Sequence, residues 1–172
     1  MVDNQKYWFV ACTPRNQELT IRDTLVKMGI EHFLPTQIVV RQLKYRKKKV
    51  EVPVIKNLIF IHDSKCHTCE IANDFGVKIF YIHDRCTRSM LIVPDKQMKD
   101  FMFVMDLDPN KIQFDNDIFR VGTKVQVIKG DLSGVEGELL SISNKAYVMI
   151  RIPQVLTASF KVPKSYLRVV SG

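Results

Sequence analysis

Two short spacings in the first half of the chain hold the residues best suited to chemistry: Cys66-His67-Thr68-Cys69 and His83-Asp84-Arg85-Cys86. A Cys-x-x-Cys pair followed after thirteen residues by His-x-x-Cys has the ligand types and spacing of a tetrahedral zinc site, and His62 and His67 lie nearby in sequence. A Cys-x-x-Cys at a helix start also lowers a thiol pKa for redox exchange, but nothing around it has a thioredoxin pattern. With Cys12, these cysteines are read as reduced thiols, and neither a metal nor a cofactor is expected. There is no GxxxxGK[ST] phosphate loop, no GxSxG elbow and no HExxH pair, and the four histidines lack spacings suited to acid–base work. The chain reads as a binding protein, not an enzyme.

Charge is the stronger signal. Arg41-Gln42-Leu43-Lys44-Tyr45-Arg46-Lys47-Lys48-Lys49 carries six basic residues in nine. Such a run neutralises phosphates and releases counterions without reading sequence, and Tyr45 is placed to stack on a base. The 172-residue chain has a net charge of +8, which favours polyanionic partners. Residues 1–106 hold 17 basic against 12 acidic side chains, 107–119 one against three, and 120–172 eight against three. Two basic bodies are thus joined by an acidic strip. No apolar run reaches the roughly 18 residues of a membrane span, and Met1–Lys6 does not lead into an export signal. The expectation is a cytoplasmic monomer that does not engage a membrane.

These residues must be positioned by regular elements. Tyr7–Cys12 reads as a buried strand, and Thr13-Pro14 as the N-cap and first position of a helix. Ile21, Leu25 and Met28 give that helix an apolar face, which stops at Gly29. Phe33–Val40 and Lys49–Ile61 read as strands flanking the basic run, which becomes the tip of a hairpin. Ser64 caps a second helix ending near Gly76, and Val77–His83 reads as another strand. Pro94 opens a third helix, whose stripe of Met98, Phe101, Met102 and Met105 is read as core. Asp106–Asp117 reads as a linker. Short strands follow at Lys124–Lys129, Val135–Ser143, Ala146–Ile152, Ser159–Val162 and Tyr166–Val170, a small closed sheet.

Val121–Leu140, with Val125 and Val127 alternating on one strand face, Gly130 at a turn, and Gly134 and Gly137 giving close backbone approach, resembles a KOW motif. Four features of the first half are similar to the NusG N-terminal (NGN) domain: Trp8-Phe9-Val10 followed by Thr13 and Glu18; Phe33-Leu34-Pro35-Thr36; Val52–Ile61; and Gly76-Val77 followed by Phe80. Together they resemble a NusG-family transcription factor. The implied fold is α+β: an NGN-type α/β sandwich, an antiparallel sheet with helices, over 1–106, a linker over 107–119, and an SH3-like KOW β-barrel over 120–172. Lys56-Asn57-Leu58 stands where the family usually has Pro-Gly-Tyr, so the chain resembles a specialised antitermination paralogue more than the general factor.

That resemblance implies docking onto the clamp helices of the largest RNA polymerase subunit, through Trp8, Phe33, Ile55, Leu58 and Phe80. It also implies contact with upstream or non-template DNA. Asn73 matches a reading position in some relatives, and Arg15, Arg85 and Arg88 are its neighbours. With Arg41, Lys44, Arg46, Lys47, Lys48 and Lys49 these form the candidate nucleic-acid set. The KOW domain of relatives recruits Rho or a ribosomal protein through a late loop. Here that loop, Pro153–Ala158, lacks the usual Phe-Gly-Arg; Val155 and Leu156 are its apolar candidates, and Rho binding is not expected. The alternatives are a KOW-type RNA- or ribosome-binding protein with no polymerase role, and a zinc-binding regulator.

Overall fold

The computed structural model describes residues 4–107, 112–115, 122–142, 145–152 and 154–170. It divides into two compact units, 1–94 and 95–172.

The first unit is built on β1 (Tyr7–Cys12), whose Phe9, Val10 and Ala11 are fully buried. An antiparallel sheet runs in the order β2 (Glu31–Phe33), β5 (Leu58–Asp63), β1. The far edge of β1 is shared by β6 (Phe80–Tyr81) and β7 (Ile92–Val93). Side chains of Phe9, Ala11, Ile59 and Ile61 share one face by register. Ala11, Ile59 and Ile61 there meet Ile21 and Leu25 of α1 (Glu18–Lys27) and Ile71 of α2 (Lys65–Asn73) in one core.

Thr13-Pro14 does not open α1. The Thr13 N–H donates to Asn57 O (3.0 Å), which prolongs the β1–β5 ladder by one residue, and its buried hydroxyl has no hydrogen-bond partner among the described residues. The chain then turns through Asn16 at φ 62°, with Gln17 N–H donating to Pro14 O (3.2 Å), before the helix starts at Glu18. At the other end, Gly29 (φ 68°) donates to Val26 O and Ile30 to Leu25 O, the paired bonds of a Schellman stop. Ser64 caps α2 as expected, its side chain accepting from His67 N–H at 3.3 Å.

Other sequence expectations shift. The run Phe33–Val40 breaks at Leu34-Pro35 into β2 and β3 (Thr36–Gln42), and Lys49–Ile61 breaks at 54–57 into β4 (Lys47–Pro53) and β5. Proline at 35 and 53 explains both, because it cannot donate into a ladder. Strands β3 and β4 pair only with each other, from Thr36↔Pro53 to Gln42↔Lys47, as a free-standing hairpin. Of Val77–His83, only Phe80–Tyr81 is strand; Val77 and Ile79 are drawn into the core instead.

The second unit begins with α3 (Asp95–Leu107), earlier than the expected boundary at 106. Met98, Phe101 and Met105 of the expected stripe are buried, Met102 is only half-buried and Val104 is buried in addition; the helix lies against β11 (Lys145–Ile152). Asp100 (7% exposed) explains the attachment: it accepts from Lys96 Nζ (2.8 Å) and from the backbone N–H of Glu136 (3.2 Å), while Lys96 also donates to Gly134 O. Asp100→Ala removes the acceptor of the Glu136 N–H and one of the two partners of Lys96. Its expected cost is about 1–3 kcal/mol in chemical denaturation; an unchanged midpoint would remove this bond set from the account.

The expected linker contains β8 (Ile112–Asp115), which pairs with β12 (Leu156–Lys161); residues 108–111 and 116–121 of it lie outside the described residues. The antiparallel order is β13 (Leu167–Val169), β9 (Lys124–Val127), β10 (Glu136–Ile142), β11, β12, β8. Val125 and Val127 are buried on one face. Gly130 takes φ 83° at the turn, and at Gly137 a Cβ would sit 2.4 Å from Met149 O. Gly134 plays a different part from the one expected: nothing crowds it, and its φ of 95° is the constraint.

Candidate functional site

The face of the first sheet opposite α1 and α2 gathers most of the sequence-predicted docking residues. Register places Phe33, Phe60 and Val10 in one cross-strand row, with Glu31, His62, Trp8 and Val93 in the next. A third row, Leu58, Cys12 and Phe80, closes the sheet at its end. Trp8, Phe33, Leu58 and Phe80, drawn from four strands, therefore project from one surface. They differ sharply in exposure. Trp8 is 7% exposed and stacked on His62 at 4.8 Å, with His62 Nδ1 2.5 Å from Glu31 Oε2. Phe33 and Leu58 are half-buried, and Phe80 is 75% exposed. Between the last two, Cys12 is half-buried, and burial pushes its thiol pKa up.

Ile55 is buried in the 54–57 turn. That turn is fixed from two sides: Asn57 N–H donates to Glu18 Oε1 (2.9 Å), and Asn57 O accepts from Thr13. Asn57 sits at φ 62°, the left-handed region that Asn enters more readily than other non-glycine residues. At the position of the family's Pro-Gly-Tyr the chain therefore makes a left-handed turn flanked by Lys56 and Leu58.

The basic run forms the expected hairpin, but its tip is only 43–46; Arg41 lies in β3 and Lys47, Lys48 and Lys49 in β4. Leu43 N–H donates to Arg46 O (2.8 Å) across the tip, and Tyr45 is 87% exposed with Lys44 Nζ 5.3 Å from its ring. Pairing sets Arg41 opposite Lys48 on one face, while Lys47 and Lys49 point from the other. Like charges directly opposite repel, so this hairpin carries a stored preference for an anion. Its base is tied to α1 by Glu51, which accepts from Arg22 (2.6 Å) and Thr36 (2.8 Å); these bonds hold its carboxyl below the usual range.

Beside the hairpin lies a feature the sequence reading missed, a groove of ≈ 860 Å³ lined by the β1–α1 turn, the 54–57 turn and the hairpin. Arg15 and Arg41 both reach it. Only pairing register would have revealed it, since its walls come from three separate stretches of chain. The remaining candidates scatter. Asn73 is exposed at the end of α2; Arg85 and Arg88 sit in the 84–89 loop, which Asp84 ties by accepting from Cys86 and Thr87 N–H.

The ligands of the zinc alternative do not come together, and one expectation is corrected. Among the described residues, no three His, Cys, Asp or Glu side chains are placed to hold one metal ion, so Cys66, Cys69, His83 and Cys86 do not converge. His67 Nδ1 is instead engaged by Asp63 Oδ2 at 2.6 Å. The partner loop is also shorter than expected: β12 begins at Leu156, which is 6% exposed and faces the core, and Val155 is half-buried. Pro153 lies outside the described residues. No helix among the described residues is long and apolar enough to cross a membrane.

A family model described as transcription termination factor nusG matches residues 6–102, more than half of the chain. A solved chain from the crystal structure of the MjSpt4:Spt5 complex, conformation B, aligns over 96% of this chain and 97% of that one, at 12% identity and a TM-score of 0.31, too low a likeness to carry an argument. No curated protein matches the chain. The matched segment opens just before β1, spans the whole first sheet with its hairpin, and ends within α3. By that match the chain belongs to the NusG family.

Proposed function

We propose that this NusG-family protein is a transcription elongation factor of the antitermination type, which docks on RNA polymerase through the open end of its first sheet. One observation carries the docking surface: Leu58, Phe33 and Phe80 come from separate strands to one face, and Phe80 is left exposed at its edge. An aromatic held rigid by its ladder is the kind of anchor that interfaces bury. Trp8 lies nearly buried on the same face, and Ile55 is buried in the turn that precedes Leu58. The hairpin supplies a sequence-independent hold on nucleic acid, through the lysines and arginines of 41–49. The second unit is read as a KOW-type barrel, on the strength of its buried Val125–Val127 face, the Gly130 turn and the close crossing at Gly137. The preserved turn at Asn57, with altered neighbours, favours a specialised paralogue serving particular operons.

The test uses the full chain and core RNA polymerase in a reconstituted elongation assay. Co-purification with polymerase and increased read-through at pauses or terminators is the expected result. A folded chain that neither binds polymerase nor changes read-through would leave the KOW-type RNA- or ribosome-binding alternative standing.

A further inference from the structure

We propose that Cys66 and Cys69, near the start of α2, are a modification site that closes to an intrahelical disulfide by exchange with a low-molecular-weight disulfide. The site does not depend on polymerase docking, and its test contains no polymerase.

Geometry comes first. Both thiols are exposed, and they lie three residues apart on one helix. That spacing sets their Cα atoms about 5 Å apart, inside the roughly 4.4–6.8 Å that a disulfide bridges. Side chains at i and i+3 share a helix face with Cβ atoms about 5–6 Å apart, so closure needs the turn to tighten by about 1–2 Å. That turn can give. Cys66 is the second residue of α2, so its N–H is among those at a helix start with no intrahelical acceptor. The ladder begins only with Thr68 N–H on Ser64 O, at 3.0 Å. The other cysteines stand elsewhere: Cys12 is half-buried on the opposite face of the sheet, and the Cys86 N–H is held by Asp84 in its loop. Among the described residues, no further side chains join Cys66 and Cys69 in a metal-ready group that would occupy the thiols.

The chemistry balances in two exchanges. One cysteine, as thiolate, attacks the small disulfide, which releases one small thiol and leaves a mixed disulfide on the chain. The second cysteine, as thiolate, attacks the chain-side sulfur and expels the other small thiol. The chain has then lost two electrons and two protons, and the small disulfide has been reduced to two thiols. Closure is felt around the helix start. His67, between the two cysteines, donates its N–H to Ser64 Oγ at 3.3 Å, and its Nδ1 lies 2.6 Å from Asp63 Oδ2. A tightened turn strains both contacts, and strained or exposed disulfides are the labile kind. The bond is therefore a reversible mark on α2, not a staple. It also has a reporter. The Tyr81 hydroxyl is buried with no hydrogen-bond partner among the described residues; burial pushes its pKa up, and the charges of nearby Cys69 and Asp63 push the same way. Moving Cys69 changes the surroundings of that phenol, which belongs to the two-residue strand β6.

The folded full chain is titrated with mixtures of reduced and oxidised glutathione, and each cysteine is read by peptide mass after alkylation. In the unaltered chain the bond between Cys66 and Cys69 should be the main oxidised form, reopened completely by excess reduced glutathione. Circular dichroism should stay unchanged while the ring signals of Tyr81 shift in NMR spectra. Cys69→Ser should stop at a mixed disulfide on Cys66, about tenfold or more above its level in the unaltered chain, because the neighbouring thiol stands at a far higher effective concentration than millimolar glutathione. Cys86→Ser should leave closure as it was. Mixed disulfides that persist on Cys66 or Cys69 of the unaltered chain, closure that takes Cys12 or Cys86 as partner, or closure seen only after urea has unfolded the chain would each overturn the site.

Discussion

Replacing Phe80 by Asp should weaken binding of the full chain to core RNA polymerase by roughly 100-fold while leaving its melting curve in place. A central anchor in an interface is worth about 2–4 kcal/mol on truncation, and 1.4 kcal/mol is tenfold in affinity. A carboxylate adds the penalty of a charge driven against an apolar partner. The side chain is 75% exposed and contributes little to the core, so the folded state loses well under 1 kcal/mol. That separation makes Phe80 the informative position. Leu58→Asp should abolish binding too, but Leu58 is half-buried beside Cys12, and part of its effect will be on the sheet itself. Trp8→Ala is worse still: a stacked, nearly enclosed ring costs about 3–5 kcal/mol to remove, so lost binding would say only that the sheet had loosened. Unchanged affinity in the Phe80 variant, measured by titration alongside circular dichroism, would move the docking surface elsewhere.

The candidate site was legible as a set of residues and illegible as a surface. Trp8, Phe33, Leu58 and Phe80 were all named from their match to family motifs, which are linear and need no structure to be seen. Their common face depends on register, and their exposure, from the nearly buried Trp8 to the exposed Phe80, on what packs around them; side-chain type reveals neither. Similarly, six basic residues in nine announced a charged hairpin tip. The assignment of Arg41 to the groove and Lys49 to the opposite face needed the pairing Val40↔Lys49 and Arg41↔Lys48. Misreadings came where tertiary bonds outbid local preference. Thr13-Pro14 has the composition of a helix start, but the Thr13 N–H was already claimed by Asn57. The 153–158 stretch resembles a loop by its Pro-Gln, yet Leu156, Thr157 and Ala158 are pulled into β12 by pairing with β11. The cysteine spacing matched a zinc pattern only along the chain, since Cys66 and Cys69 ride on α2 and Cys86 sits in a loop shaped by Asp84.

Gly137→Ala should be among the most damaging small substitutions in the second unit, at about 3 kcal/mol or more. In β10, Gly137 pairs with Val125 of β9 on one side, and on the other the chain crosses close to β11. An added Cβ would stand 2.4 Å from Met149 O and 2.7 Å from Val148 Cγ1. The first contact is with backbone, so no rotamer change relieves it, and the strands must separate. Gly134→Ala supplies the comparison. It meets no atom within 4 Å, so its cost comes only from holding an alanine at φ 95°, about 1–2 kcal/mol. Urea denaturation of the full chain followed by circular dichroism should therefore rank Gly137→Ala below Gly134→Ala, with unaltered protein highest. The reverse order would mean that the strands of this unit do not cross as closely as Gly137 requires. A KOW-type reading of the second unit would then lose a position where the motif's glycine has a steric reason to be there.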